Sequence, residues 1–102
     1  MRLFIMFDLP TISKIDQKNY LNFRSFLLKN GYYMLQFSIY VKLCINHDDL
    51  RKHLKKVQLQ TPDKGNIRCL IVTEKQYEEM KIFVGSKSLQ EEYINLKRIV
   101  EL

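Results

Sequence analysis

The fold of this chain depends on one stretch, Tyr32-Tyr-Met-Leu-Gln-Phe-Ser-Ile-Tyr-Val-Lys-Leu43. Its residues alternate in character, which is typical of a strand with one buried face. The predicted buried face carries Tyr33, Leu35, Phe37, Ile39, Val41 and Leu43, and the other face carries Met34, Gln36, Ser38, Tyr40 and Lys42. The stretch is long for one strand. It is either a single strand or two strands joined at residues 36–38, although no Gly or Pro marks a hairpin there.

Two elements precede this stretch. An apolar strand is predicted over residues 2–7, and Pro10 stops it because proline cannot donate to a strand ladder. Residues 15–30 show the apolar spacing of an amphipathic helix. Gly31 follows as the residue able to take the positive φ of a helix C-cap.

Further elements follow it. Either Asn46 or Asp48 can cap a second helix that ends near residue 59, and residues 67–72 form another strong strand. Thr73 and Gln76 have capping-box spacing, which predicts a short helical turn. A short edge strand is expected over residues 81–84.

If residues 32–43 bend into two strands, the element order becomes β-α-β-β-α-β. This order is the ferredoxin-like arrangement, an α+β fold with two helices on one face of a sheet. Residues 1–85 then form one domain, and residues 86–102 form a C-terminal tail. Apolar residues in the tail suit either a helix or a strand. We expect an edge strand for assembly, with Arg98, Ile99 and Val100 at a partner or subunit interface.

The composition of the chain limits the kinds of partner and site that it can have. The chain has 102 residues, a formal net charge of +6 and a pI of about 9.4. An excess of basic residues favours acidic partners such as nucleic acid. A basic surface that only keeps the protein soluble would give the same net charge. Cys44 and Cys69 are too few for zinc and are expected to be buried and reduced. No apolar run approaches the ~20 residues of a membrane span, so a cytoplasmic protein without membrane contact is expected.

Asp8 ends the first predicted strand, where α/β-type folds often place ligand sites. We consider it the candidate catalytic and metal-binding residue. Mg²⁺ normally takes one or two carboxylates plus water and phosphate oxygens, and no second acid lies nearby in the sequence. A symmetric dimer would let two copies of Asp8 share one cation. The alternative is that Asp8 caps the following turn.

Two further sets of candidate residues emerge. Lys14, Lys18, Arg24 and Arg68 are the candidate phosphate contacts, which position a nucleic acid without reading its sequence. Gln36, Ser38 and Tyr40 form a mixed polar and aromatic face that suits a dimer contact, unless the helices cover it. His47 and His53 are expected at the surface, and no Ser/His/Asp triad is supported.

Five segments in register resemble one known family. They are residues 3–10, residues 23–28, residues 31–40 with Gly31-Tyr32 and Gln36-Phe-Ser-Ile-Tyr40, residues 64–68, and residues 72–76. Together they are similar to the CRISPR-associated protein 2 family, in the branch found with type II systems. The match runs from residue 1 to about residue 85.

The resemblance implies a ferredoxin-like fold and a symmetric homodimer. It implies an adaptation protein that binds nucleic acid and bridges dimers of the integrase, CRISPR-associated protein 1, during spacer acquisition. The alternative function is a Mg²⁺-dependent endonuclease acting on RNA or double-stranded DNA. The family's metal position falls on Asp8, and Phe7 stands where many relatives have Tyr.

Overall fold

The computed structural model describes residues 1–87, 90–92 and 94–95. Its elements are β1 (Arg2–Asp8), α1 (Lys14–Lys29), β2 (Tyr33–Gln36), β3 (Ile39–Leu43), α2 (His47–Leu59), β4 (Asn66–Val72) and α3 (Glu74–Glu78). The strands form one antiparallel sheet in the order β2-β3-β1-β4. The predicted α+β, ferredoxin-like fold is confirmed.

The sheet buries residues on both faces. On one face, odd-numbered residues of β1 such as Ile5 pack against α1 through Phe23 and against α2 through Leu50. On the other face, Phe4 packs with Tyr77 of α3 and with residues of β2 and β3. We call these the helix face and the second face. Because β1 is central, its alternating side chains are committed to opposite faces.

Residues 32–43 form two strands, and the turn between them consists of Phe37 and Ser38. Ser38 has φ of 63°, a left-handed conformation that costs a non-glycine residue roughly 1–2 kcal/mol. The backbone N–H of Phe7 donates to the Ser38 carbonyl oxygen at 3.0 Å, which ties this turn to β1. A hairpin without Gly or Pro gave no turn signal in the sequence.

The turn also corrects two side-chain assignments. Phe37, predicted on a buried face, is 90% exposed, because it lies at the tip of the hairpin and outside the ladder. Tyr40, predicted on the outward face, is 2% exposed and stacks on Phe7, with ring centroids 5.7 Å apart. The helices cover Tyr40. The alternative interpretation, that helices and not a dimer partner cover this face, is therefore correct for Tyr40.

Local signals located the helix ends well. Asn46 caps α2 by accepting from the Asp49 backbone N–H at 2.8 Å. The predicted capping box of Thr73 and Gln76 is present, and Gly31 after α1 has φ of 85°. Each of these features depends on neighbours within four residues along the chain.

The expected edge strand over residues 81–84 is wrong. These residues form no strand, and Phe83 and Val84 are 93% and 94% exposed. Beyond them, Gln90–Glu92, Ile94 and Asn95 are helical. The expected strand that includes Arg98, Ile99 and Val100 lies outside the described residues. No helix within the described part of the chain is long and apolar enough to span a membrane.

Arg2 organises the second face near the end of the chain. Its side chain is 1% exposed, and its Nε donates to both carboxylate oxygens of Glu74, at 3.2 and 3.1 Å. Its two terminal nitrogens donate to the hydroxyl of Tyr33 at 2.7 Å and to Oδ1 of Asn95 at 2.6 Å. The guanidinium carbon also lies 3.7 Å from the ring centroid of Tyr77. One buried cation thereby joins β1, β2, α3 and the C-terminal helical residues.

Two other expectations about burial are wrong. Cys69 is exposed, whereas Cys44 is buried as expected. His53 is 6% exposed, because it faces the core side of α2, where its ring meets Tyr32 edge-on. Burial lowers the pKa of His53, although the Asp49 carboxylate opposes this shift. The same pKa is lowered further by the charges of Lys42, Lys52 and Lys56.

Candidate metal and nucleic-acid site

Asp8 lies at the open end of the second face. Along β1, even-numbered residues point away from α1 and α2, and Phe4 is covered by Tyr77, with ring centroids 6.3 Å apart. Further along β1, Met6 is half-buried and Asp8 is exposed. The cover provided by α3 therefore ends before Asp8, and its carboxylate reaches solvent.

The Asp8 carboxylate is available for a ligand. Within the described residues it accepts no hydrogen bond and forms no ion pair, so nothing there supports the alternative that it caps the turn. Gly65 makes the close approach at this end of β1 feasible. With φ of 99°, a Cβ at Gly65 would stand 2.7 Å from the Asp8 carbonyl oxygen.

An open cavity of about 280 Å³ surrounds this carboxylate. It is lined by Met6, Phe7, Asp8, Phe37, Ser38, Ile39, Asn66 and Arg68. The β1–β4 register pairs Asp8 with Asn66 and Met6 with Arg68. Asp8 and Arg68 are thus diagonal neighbours across β1 and β4, and no ion pair joins them within the described residues. The cavity therefore offers a carboxylate and a guanidinium to one ligand at the same time.

The residues present fit part of a magnesium site. Asp8 supplies one carboxylate, and Asn66 directly opposite supplies a side-chain amide, an oxygen donor of the type that hard cations accept. The described residues contain no group of three or more His, Cys, Asp or Glu that could hold a metal ion. One chain thus offers a single carboxylate, and a second copy of Asp8 would bring the number to two.

The predicted phosphate contacts are not gathered in one place. Arg68 lies in the cavity with Asp8. Lys14 and Lys18 are exposed on α1, which packs on the opposite face of the sheet. Arg24 is also exposed on α1, and its Nε donates to the hydroxyl of Tyr40 at 2.9 Å. The structure therefore unites only Arg68 with the candidate metal residue.

The residues predicted to form a dimer contact, Gln36, Ser38 and Tyr40, do not share one exposed face. Ser38 forms part of the cavity wall, and Gln36 is exposed at the end of β2. Tyr40 is buried in the core and offers no surface to a partner.

Sequence reasoning missed two residues of the site, Phe37 and Asn66. Asn66 is placed opposite Asp8 by strand register and Phe37 enters the cavity through the hairpin turn, and no local pattern specified either. A forecast of the hairpin turn at residues 37–38 would have placed Phe37 beside the end of β1.

The chain is similar to one family of known proteins. The family model described as "CRISPR associated protein Cas2" matches residues 1–80. A protein of Acidovorax ebreus named CRISPR-associated endoribonuclease Cas2 is 42% identical over 99 residues, covering 97% of each chain. A Treponema denticola protein of the same name is 39% identical over 103 residues, covering 100% of each chain. One from Streptococcus mutans is 41% identical over 87 residues, covering 85% of this chain and 80% of the relative.

Proposed function

Because this chain belongs to the CRISPR associated protein Cas2 family, we propose that it is a Mg²⁺-dependent endonuclease that hydrolyses RNA as a homodimer. The observation that carries the proposal is the Asp8 carboxylate, exposed beside Arg68 on an open sheet face. The choice of RNA rests on the relatives' shared name, endoribonuclease.

Surface composition supports the homodimer. In the described part of the chain β4 is one of the two outer strands of the sheet. On β4, Leu70 on the second face is 50% exposed and Ile71 on the helix face is 46% exposed. Phe83 and Val84 add apolar area that the described residues leave open. Exposed strand edges and clustered apolar side chains are features that assemblies cover. An isologous interface on the second face would bring two copies of Asp8 together.

The proposed chemistry assigns one role to each polar side chain. Asp8 and its symmetry copy would hold Mg²⁺, which supplies a Lewis acid for phosphodiester hydrolysis. Arg68 would bind a phosphate oxygen and fix the strand beside the carboxylates. Asn66, opposite Asp8, would orient the scissile phosphate or a water molecule by hydrogen bonding.

The test replaces Asp8 with Asn, which preserves shape and removes the charge. We expect Asp8→Asn to lose Mg²⁺-dependent RNA cleavage while its elution in size-exclusion chromatography stays unchanged. Asp63→Asn is the matched control, because Asp63 is an exposed carboxylate outside the cavity. Retention of full cleavage by Asp8→Asn would remove Asp8 from the mechanism.

A second function is favoured by the cavity, because Asp8 is the one acidic residue among the described residues that line it. We propose that the homodimer also bridges two dimers of the CRISPR-associated integrase during spacer acquisition, a role that needs shape and symmetry but no hydrolysis. Asp8→Asn is then expected to support spacer integration at the wild-type level while lacking nuclease activity. Loss of integration by a dimeric Asp8→Asn protein would contradict a purely architectural role.

A further inference from the structure

Two phenylalanines of this chain are almost fully exposed, and their surroundings differ. Phe83, 93% exposed, stands between Ile82 and Val84 in an apolar segment. Phe37, 90% exposed, lines the same cavity as Asp8 and Arg68. An apolar setting suits protein contact, whereas an aromatic ring in one cavity with a carboxylate and a guanidinium suits a ligand with both a flat ring and a phosphate.

The position of Phe37 is fixed relative to Asp8. Phe37 occupies the turn of the β2–β3 hairpin, and the next residue accepts a backbone hydrogen bond from Phe7 at 3.0 Å. Phe7 immediately precedes Asp8, so the turn and the carboxylate are joined through one hydrogen bond and one peptide unit. The backbone that carries the exposed ring is therefore anchored to β1 at the residue before the carboxylate.

We propose that Phe37 is a positioning residue, on which one nucleobase of the bound RNA stacks while the adjoining phosphate contacts Arg68. This inference rests on the proposed nucleic-acid function and adds a determinant of how the strand lies. The stacked base must have a free face, at a strand end or in an unpaired stretch. Stacking on an aromatic side chain tolerates any base, because every base has a π-face.

The size of the cavity agrees with this occupant. Its volume of about 280 Å³ lies just below the 300–1,000 Å³ that is typical of small-molecule pockets. It suits one base at the edge of a longer strand. The net charge of +6 favours a polyanion over an uncharged aromatic compound.

The first experiment uses the absence of tryptophan from this sequence. Phe37→Trp creates a single fluorescent reporter, and Phe83→Trp creates its matched control. We expect a single-stranded oligoribonucleotide to quench Phe37→Trp strongly and Phe83→Trp little. Inorganic polyphosphate, which has charge but no bases, should quench neither. Equal responses of the two variants, or no quenching at saturating oligoribonucleotide, would overturn the proposal.

The second experiment removes the ring and keeps an apolar side chain. Phe37→Leu should weaken oligoribonucleotide binding about 5- to 150-fold, the range that stacking of one base supplies. Its salt dependence should stay unchanged, because the lost contact is not ionic. Phe83→Leu should bind as the wild type does. If Phe37→Leu instead alters the oligomeric state, the ring contacts protein and the proposal is wrong.

Neither experiment depends on catalysis. Quenching of Phe37→Trp, together with a wild-type protein that cleaves no RNA in the presence of Mg²⁺, would refute the nuclease function and leave the stacking role intact. Cleavage that requires Asp8, together with unchanged binding by Phe37→Leu, would refute the stacking role alone.

Discussion

Replacing Arg2 with Met is the change that we expect to destabilise the described structure most for a single polar side chain. Methionine keeps much of the aliphatic volume and removes the guanidinium. The change deletes both hydrogen bonds to Glu74, the bond to the Tyr33 hydroxyl and the bond to Asn95, and it ends the contact with the Tyr77 ring.

The expected decrease in the free energy of unfolding follows from the burial of the Arg2–Glu74 ion pair. Removing one partner of a buried, hydrogen-bonded ion pair costs about 3–5 kcal/mol. Glu74 is 21% exposed, so solvent screens part of the pair and the lower figure of about 3 kcal/mol applies. For a domain of this size each kcal/mol shifts the melting temperature by about 4–8 °C. We therefore expect a decrease of roughly 12–24 °C.

The assay is urea and thermal unfolding followed by circular dichroism, at one fixed protein concentration because assembly shifts apparent stability. Arg51→Met is the matched control. Its side chain is 69% exposed and pairs with Asp48 on the surface of α2, where a pair contributes about 0–1 kcal/mol. Exchange of the backbone amide hydrogens of Glu91 and Asn95 should also be faster in Arg2→Met than in the wild type. Equal stability of the Arg2 and Arg51 variants would refute the reasoning.

Three further changes give checkable outcomes. Ser38→Val should destabilise the fold by about 1–2 kcal/mol in urea unfolding, because a β-branched residue resists φ of 63°, whereas Ser38→Gly should change it little. Gly65→Ala should destabilise more than Gly85→Ala: a Cβ at Gly65 meets two atoms at 2.7 Å, and at Gly85 it meets nothing within 4 Å. Equal losses of stability in the two variants would contradict this prediction, because the positive φ alone would then determine the cost. Burial lowers the pKa of His53, so the unfolded state binds more protons, and stability should decline as pH falls below about 6.5. The urea midpoint should fall less at low pH in His53→Leu than in the wild type, whereas the control His47→Gln should behave as the wild type does. An unchanged decline in His53→Leu would show that His53 is not its cause.

The elements themselves were largely predictable, because their signals are local. The end of α1 followed from Gly31 and the start of α3 from the Thr73–Gln76 pair, and the start of α2 was narrowed to Asn46 or Asp48, because each signal acts on backbone groups within one turn. The end of β1 at Asp8 followed from the proline that comes after it. Alternation over residues 32–43 identified strand structure, but the turn was missed because Ser38 adopts positive φ without being glycine.

Which side chains are buried was harder to predict. His53 and Tyr40 carry polar groups, yet both are buried: His53 packs from α2 against Tyr32, and Tyr40 packs against Phe7 of β1 and bonds to Arg24 of α1. Arg2 looked like an ordinary first strand residue, and its partner Glu74 lies 72 positions away along the chain. Periodicity describes the faces of one element and carries no information about which other element covers each face.

The sequence by itself determined the helical or extended character of the segments from β1 to α3, the basic character and the carboxylate at the end of the first strand, because these depend on composition and on short-range backbone chemistry. The tertiary structure decided what surrounds that carboxylate. Strand register placed Asn66 opposite Asp8 and Arg68 on the diagonal, and the hairpin turn brought Phe37 to the same cavity. Register is set by hydrogen bonding and packing between segments far apart in the chain, so these neighbours emerge only when the sheet has formed.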